Sequence, residues 1–187
     1  MSARHLRFQG GTSLVEVLVT MVILSIGLMA LVVLHGRLHM LQMESYQRSQ
    51  ALILLSDMAS RIALNRNDVD NYLTLGTPLG MGQACPVGVA TRHEVDLSEW
   101  CAALQGAAET LGADQVGAMV GGRGCVEDIG GGEYLVTIAW QGQAPISAPP
   151  AGVTCGAGAY DGSAGTPCQN DLCRRVVTTV VRIATLT

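Results

Sequence analysis

One stretch constrains this chain more than any other: "SLVEVLVTMVILSIGLMALVVL", Ser13 to Leu34, which carries a single charge, Glu16. Leu14 to Leu34 is 21 residues, and about 20 apolar residues in a helix cross the ~30 Å hydrocarbon core of a bilayer. A charged side chain at the centre of such a helix costs about 2.5–3.5 kcal/mol. An acid in this setting therefore calls for a partner. No proline occurs from Ser13 to Arg66. The helix is thus expected to continue well beyond the apolar run, to about 80 Å at 1.5 Å per residue.

Arg4, His5 and Arg7 precede the run, and no further Lys or Arg occurs until Arg37. That asymmetry predicts a cytoplasmic N-terminus. A secretory signal peptide would have a small-residue cleavage site after its apolar core. Here the small residues, Gly10 and Gly11, come before it. A cut after Gly11 would remove the positive leader and keep the apolar helix. It would also create an α-amino group on Thr12, four residues from Glu16. A negative group in the first helical turn is favoured by the helix dipole. In hydrocarbon, Glu16 would in addition seek a cation, from its own terminus or from a neighbouring copy. Such a pair is suited to fixing the register of assembly.

Past Arg37 the composition becomes amphipathic. Leu52, Leu55, Ala59 and Ile62 recur at helical spacing and are expected to pack on the chain's own sheet, with Arg48, Asp57, Arg61 and Arg66 as the polar side. Asp57 and Arg61 form an i, i+4 pair to which no further role is assigned. Asn65 to Pro78 reads as a helix stop and loop. "VDLSEWCAALQG" reads as a short helix capped by Asp96, with Glu99 three residues on and Gly106 at its end. Trp100 and Leu104 share one of its faces. Residues 109–124 are ambiguous.

"EYLVTIAWQ" alternates, with Tyr134, Val136, Ile138 and Trp140 on one side and Leu135, Thr137 and Ala139 on the other. Apolar residues on both sides point to a central strand. "RRVVTTVVRIATL" reads as a second strand, with Val177, Thr179, Val181 and Ile183 facing one way. The Pro-, Gly- and Ser-rich segment between them is incompatible with regular structure.

The six cysteines, Cys85, Cys101, Cys125, Cys155, Cys168 and Cys173, all follow the apolar segment. An even set in a glycine-rich domain reads as disulfides formed in an oxidising compartment, with 15 connectivities open. Cys85–Cys101 is the expected early closure, with the other four pairing among themselves. Zinc is the competing reading, through the close spacing of Cys168 and Cys173. It lacks a second close pair, and His5, His35, His39 and His93 are not arranged with the cysteines. No metal and no cofactor are expected.

Catalytic signatures are missing. The glycines of "VGAMVGGRG" come without a phosphate-binding lysine, since all 11 basic residues are arginine. There is no Gly-x-Ser-x-Gly elbow. His93 and Glu94 read as isolated surface residues, and Asp161, Asn170 and Asp171 lack the spacing of a calcium loop. Formal charge is −4 with no basic run, so nucleic acid is not an expected partner. A membrane-anchored enzyme and a DNA-binding module are thus disfavoured.

"GGTSLVEVLVTMVILSIGLMAL" resembles the type IV prepilin N-terminus, with Gly11, Thr12, Ser13, Leu14, Val15 and Glu16 in place. The first residue after the cut is commonly Phe or Met in that family, and here it is Thr12. "YQRSQALILLSDMASRIALNR", "LSEWCAALQG", "EYLVTIAWQG" and "CRRVVTTVVRIATL" are similar to the PilV family of minor pilins, the type IV pilus modification proteins. The resemblance implies an α+β type IV pilin fold: a long N-terminal helix, half membrane-spanning and half amphipathic, packed on a small antiparallel sheet with disulfide-tied loops. The corresponding segments are a cleaved leader (1–11), an assembly helix (12–36), its periplasmic continuation (37–66) and a globular head (67–187). It also implies cleavage between Gly11 and Thr12 by a prepilin peptidase, N-methylation of Thr12, and Glu16 as the assembly carboxylate. Implied partners are other minor pilins, the major pilin, inner-membrane lipid before assembly and a tip adhesin. The implied role is non-enzymatic: a single-pass inner-membrane subunit, later part of an extracellular pilus, that helps to start pilus assembly and supports adhesion and twitching motility. A minor pseudopilin of a type II secretion system shares the same motif and is the alternative.

Overall fold

The computed structural model describes residues 13–107, 110–112, 114–115, 117 and 119–184. Contacts divide the chain into two compact units, residues 1–42 and 43–187.

Helix α1 runs Leu14–Leu64, as the proline-free stretch predicts. Ser13 opens it, its carbonyl accepting from the Glu16 and Val17 N–H groups at 3.0 and 3.2 Å. From Val17 to Leu34 the helix carries no charged residue and is apolar on every side. In the second unit one face is buried through Gln47, Ala51, Leu55, Met58 and Ile62. This face lies about one residue away from the expected stripe. Leu55 and Ile62 belong to it, Ala59 flanks it, and Leu52 faces outward.

The loop expected after α1 instead contains a 3-10 helix, Arg66–Tyr72. Its Val69 and Tyr72 are buried in the core. Two short elements follow: strand β1 (Leu79–Gly80) and helix α2 (Arg92–Leu104). A two-residue ladder, β2 (Thr110–Leu111) with β3 (Asp114–Gln115), occupies the ambiguous segment. Strands β4 (Arg123–Gly130), β5 (Glu133–Gln141) and β6 (Arg174–Arg182) complete the antiparallel sheet, ordered β1-β4-β5-β6. Gly130, Gly131 and Gly132 all take positive φ in the β4–β5 turn, a conformation that glycine adopts without steric cost.

Central β5 is covered on both sides. Tyr134, Val136, Ile138 and Trp140 bury against the α1 face, with Val177, Val181 and Ile183 of the β6 segment beside them. On the opposite side Ala139 packs with Cys125, Cys155, Tyr160 and Val176, so the irregular segment after β5 roofs the outer face of the sheet. That roof is held by Cys125–Cys155 and, nearer β6, by Cys168–Cys173, while Cys85–Cys101 ties the segment before α2. The expected first pairing is present, and the other four cysteines pair among themselves. Cys168 and Cys173, the pair on which the zinc alternative rested, are joined to each other.

The arrangement is the expected α+β pilin type: a long N-terminal helix, packed through its second half on a small antiparallel sheet. Strand β4 was not marked by the sequence pattern. Its inward positions include Gly124, whose missing side chain leaves room for the Trp100 ring; a Cβ there would collide with that ring. The Trp100 indole N–H also donates to the Leu54 carbonyl at 3.0 Å, joining α2 to α1. Gly124→Val should therefore lower unfolding stability by about 1–3 kcal/mol, the usual cost of overpacking. Urea unfolding of the full chain in detergent, followed by tryptophan fluorescence, checks this.

Candidate functional site

The feature that sets the first unit apart is its uncovered apolar surface. Leu14 is 81% exposed and Met29 is 74% exposed. The most apolar 18-residue window of α1 has a mean hydropathy of 2.9 and none of it is buried. Contiguous apolar surface of this extent marks a membrane or protein contact. The hydroxyls of Thr20 and Ser25 within it are turned to the helix itself. The Thr20 hydroxyl donates to the Val17 carbonyl at 2.9 Å, and the Ser25 hydroxyl to the Met21 carbonyl at 2.7 Å. In hydrocarbon every polar hydrogen needs such an internal acceptor. By length and composition, this helix is suited to a single membrane span.

Glu16 lies in the first turn of α1. Its backbone N–H reaches both the Ser13 carbonyl and, at 3.3 Å, the Ser13 hydroxyl, so Ser13 caps the helix. The Glu16 carboxylate has no hydrogen-bond or ion-pair partner among the described residues. Gly11 and Thr12, the expected cleavage and methylation positions, lie outside the described residues, as do Arg4, His5 and Arg7.

Residues 6–32 match the family described as Prokaryotic N-terminal methylation motif. No curated protein matches the chain, and neither does any solved structure. The matched stretch contains Gly11, Thr12 and Glu16 together with most of the apolar run. It supports a prepilin-type protein, pilin or pseudopilin, processed by a prepilin peptidase and assembled with other pilins. The motif and the long apolar helix together fit a single-pass inner-membrane anchor.

The head carries a second polar centre. Helix α2 begins a turn earlier than expected: Thr91 is its N-cap and forms a capping box with Glu94. The Glu94 carboxylate accepts from the N–H groups of Thr91 and Ala90, which hold it below its usual value. Asp96 is therefore not the cap. The earlier start turns it inward, on the same face as Trp100 and Leu104, and leaves it 1% exposed. There it accepts from the Tyr72 hydroxyl at 2.6 Å, Arg61 at 2.8 Å and Arg92 at 2.9 Å.

Arg61, given no role beyond Asp57, also bridges to Glu99 at 2.6 Å. It is the cation that joins α1 to α2. His93 pairs with Asp68 of the 3-10 helix, and so is not the isolated residue that the sequence suggested. The Thr91-x-x-Glu94 spacing was a legible capping signal; the inward acid followed from it. Trp100 and Leu104 are buried, as expected. Asp161 and Asp171 accept backbone N–H bonds within the roof segment, from Asp171 and Gly158 respectively. Among the described residues no group of three or more His, Cys, Asp or Glu is placed to hold a metal.

Burial works against the Asp96 anion, but the Tyr72 hydrogen bond, Arg61 and the charge of Arg92 outweigh it and lower its pKa. Tyr72, desolvated and bound to that anion, is pushed up to about 12. A carboxyl whose pKa is depressed by folding contributes stability that is complete above the ordinary carboxylate range. That stability is lost as pH falls through the depressed value. Asp96→Asn should cost about 1–3 kcal/mol at neutral pH, since it removes the buried anion that Tyr72 and Arg92 share while Arg61 keeps Asp57 and Glu99. The gap from wild type should narrow in acid, as measured by denaturant unfolding across pH.

Proposed function

We propose that this chain is a minor pilin of the PilV type, a non-enzymatic assembly subunit of a type IV pilus. It waits in the inner membrane with its N-terminus cytoplasmic and its cysteine-bearing head in the periplasm. A prepilin peptidase removes residues 1–11, and the new Thr12 amine is methylated. Glu16 is then neutralised by that amine or by the equivalent amine of a neighbouring subunit. The apolar half of α1 leaves lipid for a bundle of like helices. Lipid tails are as apolar as those helices, so packing and the Glu16–amine pair supply the specificity. The chain joins other minor pilins in a complex that primes pilus assembly, lies at the tip with an adhesin, and supports adhesion and twitching motility.

The observation that carries this reading is a wholly exposed apolar half-helix with one unpartnered acid in its first turn, inside the stretch that matches the methylation motif. The position of the cysteines supports it further, since all six are paired in the head and α1 has none.

N-terminal sequencing and mass measurement of the protein from sheared surface filaments should find a start at Thr12 bearing one methyl group. Recovery with the original Met1 would overturn the proposal. Gly11→Val should leave the leader uncut, seen as an unshifted gel band. Glu16→Ala should still insert in the membrane but be depleted from pili by immunogold labelling. Co-purification with secretion-system components instead of pilins would assign the chain to the minor pseudopilins.

A further inference from the structure

Just beyond the apolar run, His35 and His39 stand at i, i+4 on α1. Residues four apart share one face of a helix. The two rings lie edge to face, with centroids 4.9 Å apart and planes at 90°. Neither imidazole has a hydrogen-bond or ion-pair partner among the described residues. Gly36 between them has no side chain, and space around it is open. Arg37 is two residues from each histidine. At about 100° per residue that places it about 200° around the helix, so its cation does not share their face.

We propose that His35 and His39 form a two-imidazole site for a divalent transition-metal ion. Helical His pairs four residues apart are a recognised way to present two nitrogens to one ion. Imidazole suits copper, nickel and zinc, and the general affinity order places Cu2+ first. Two protein nitrogens leave the remaining positions of the ion to water. The pair follows immediately on the residues that fill a bilayer core, so the ion is held where the helix leaves hydrocarbon. Binding itself does not depend on the pilin reading, since it needs only the helix and the two rings.

The test is titration of the full chain in detergent micelles with Cu2+, followed by calorimetry and by electron paramagnetic resonance. One ion per chain is expected, with hyperfine structure from two imidazole nitrogens. Loss of even an outer-shell partner costs a metal site about 10–100-fold in affinity. His39→Ala should therefore weaken binding by about tenfold or more. A double variant, Arg37→His with His39→Ala, keeps the number of imidazoles but places them at i, i+2, and should bind no better than His39→Ala alone. His5 and His93 are present in every variant and so provide a common background. Equal affinity in wild type and the double variant, or a single-nitrogen spectrum in wild type, would overturn the site. Far-UV circular dichroism establishes that the helix is intact in each variant, so that a loss of affinity reports lost ligands.

Discussion

A single helix, α1, is apolar and uncovered in its first half and covered on one face in its second, and the rest of the chain is arranged around that constraint. The backbone groups of Leu14–Leu64 are satisfied along the helix whatever surrounds them. Side-chain chemistry alone must decide which half is covered by what. From Val17 to Leu34, Leu, Val, Ile and Met on all sides leave no preferred protein-facing stripe. In the second, Ala51, Leu55, Met58 and Ile62 define one, and the sheet and α2 close over it. Arg61 then fixes that closure by charge, through Asp57, Asp96 and Glu99.

Much of this was legible from residue order. The long helix followed from the absence of proline. The central strand followed from apolar residues on both faces of Glu133–Gln141, and the structure covers both, one by α1 and one by the Cys155–Tyr160 roof. Cysteine placement pointed to a disulfide-tied head and to the Cys85–Cys101 closure.

What was not legible has specific causes. Strand β4 carries Gly124 on its inner side, so its apolar alternation is broken where the Trp100 ring fills the gap. Two capping patterns, Thr91-x-x-Glu94 and Asp96-x-x-Glu99, follow each other in sequence. The first prevails because it places Asp96, Trp100 and Leu104 together on the buried side. Asp96 then depends on partners 24 and 35 residues away in sequence, Tyr72 and Arg61, which no local pattern links. The 3-10 helix after α1 owes its place to burial of Val69 and Tyr72 more than to local preference.

Thr20 and Ser25 spend their hydroxyl hydrogens on their own helix. Between Val17 and Leu34 the shaft consequently offers neighbours no directional handle. Any register between such shafts would be set by the shapes of their side chains and by Glu16 at the start of the run.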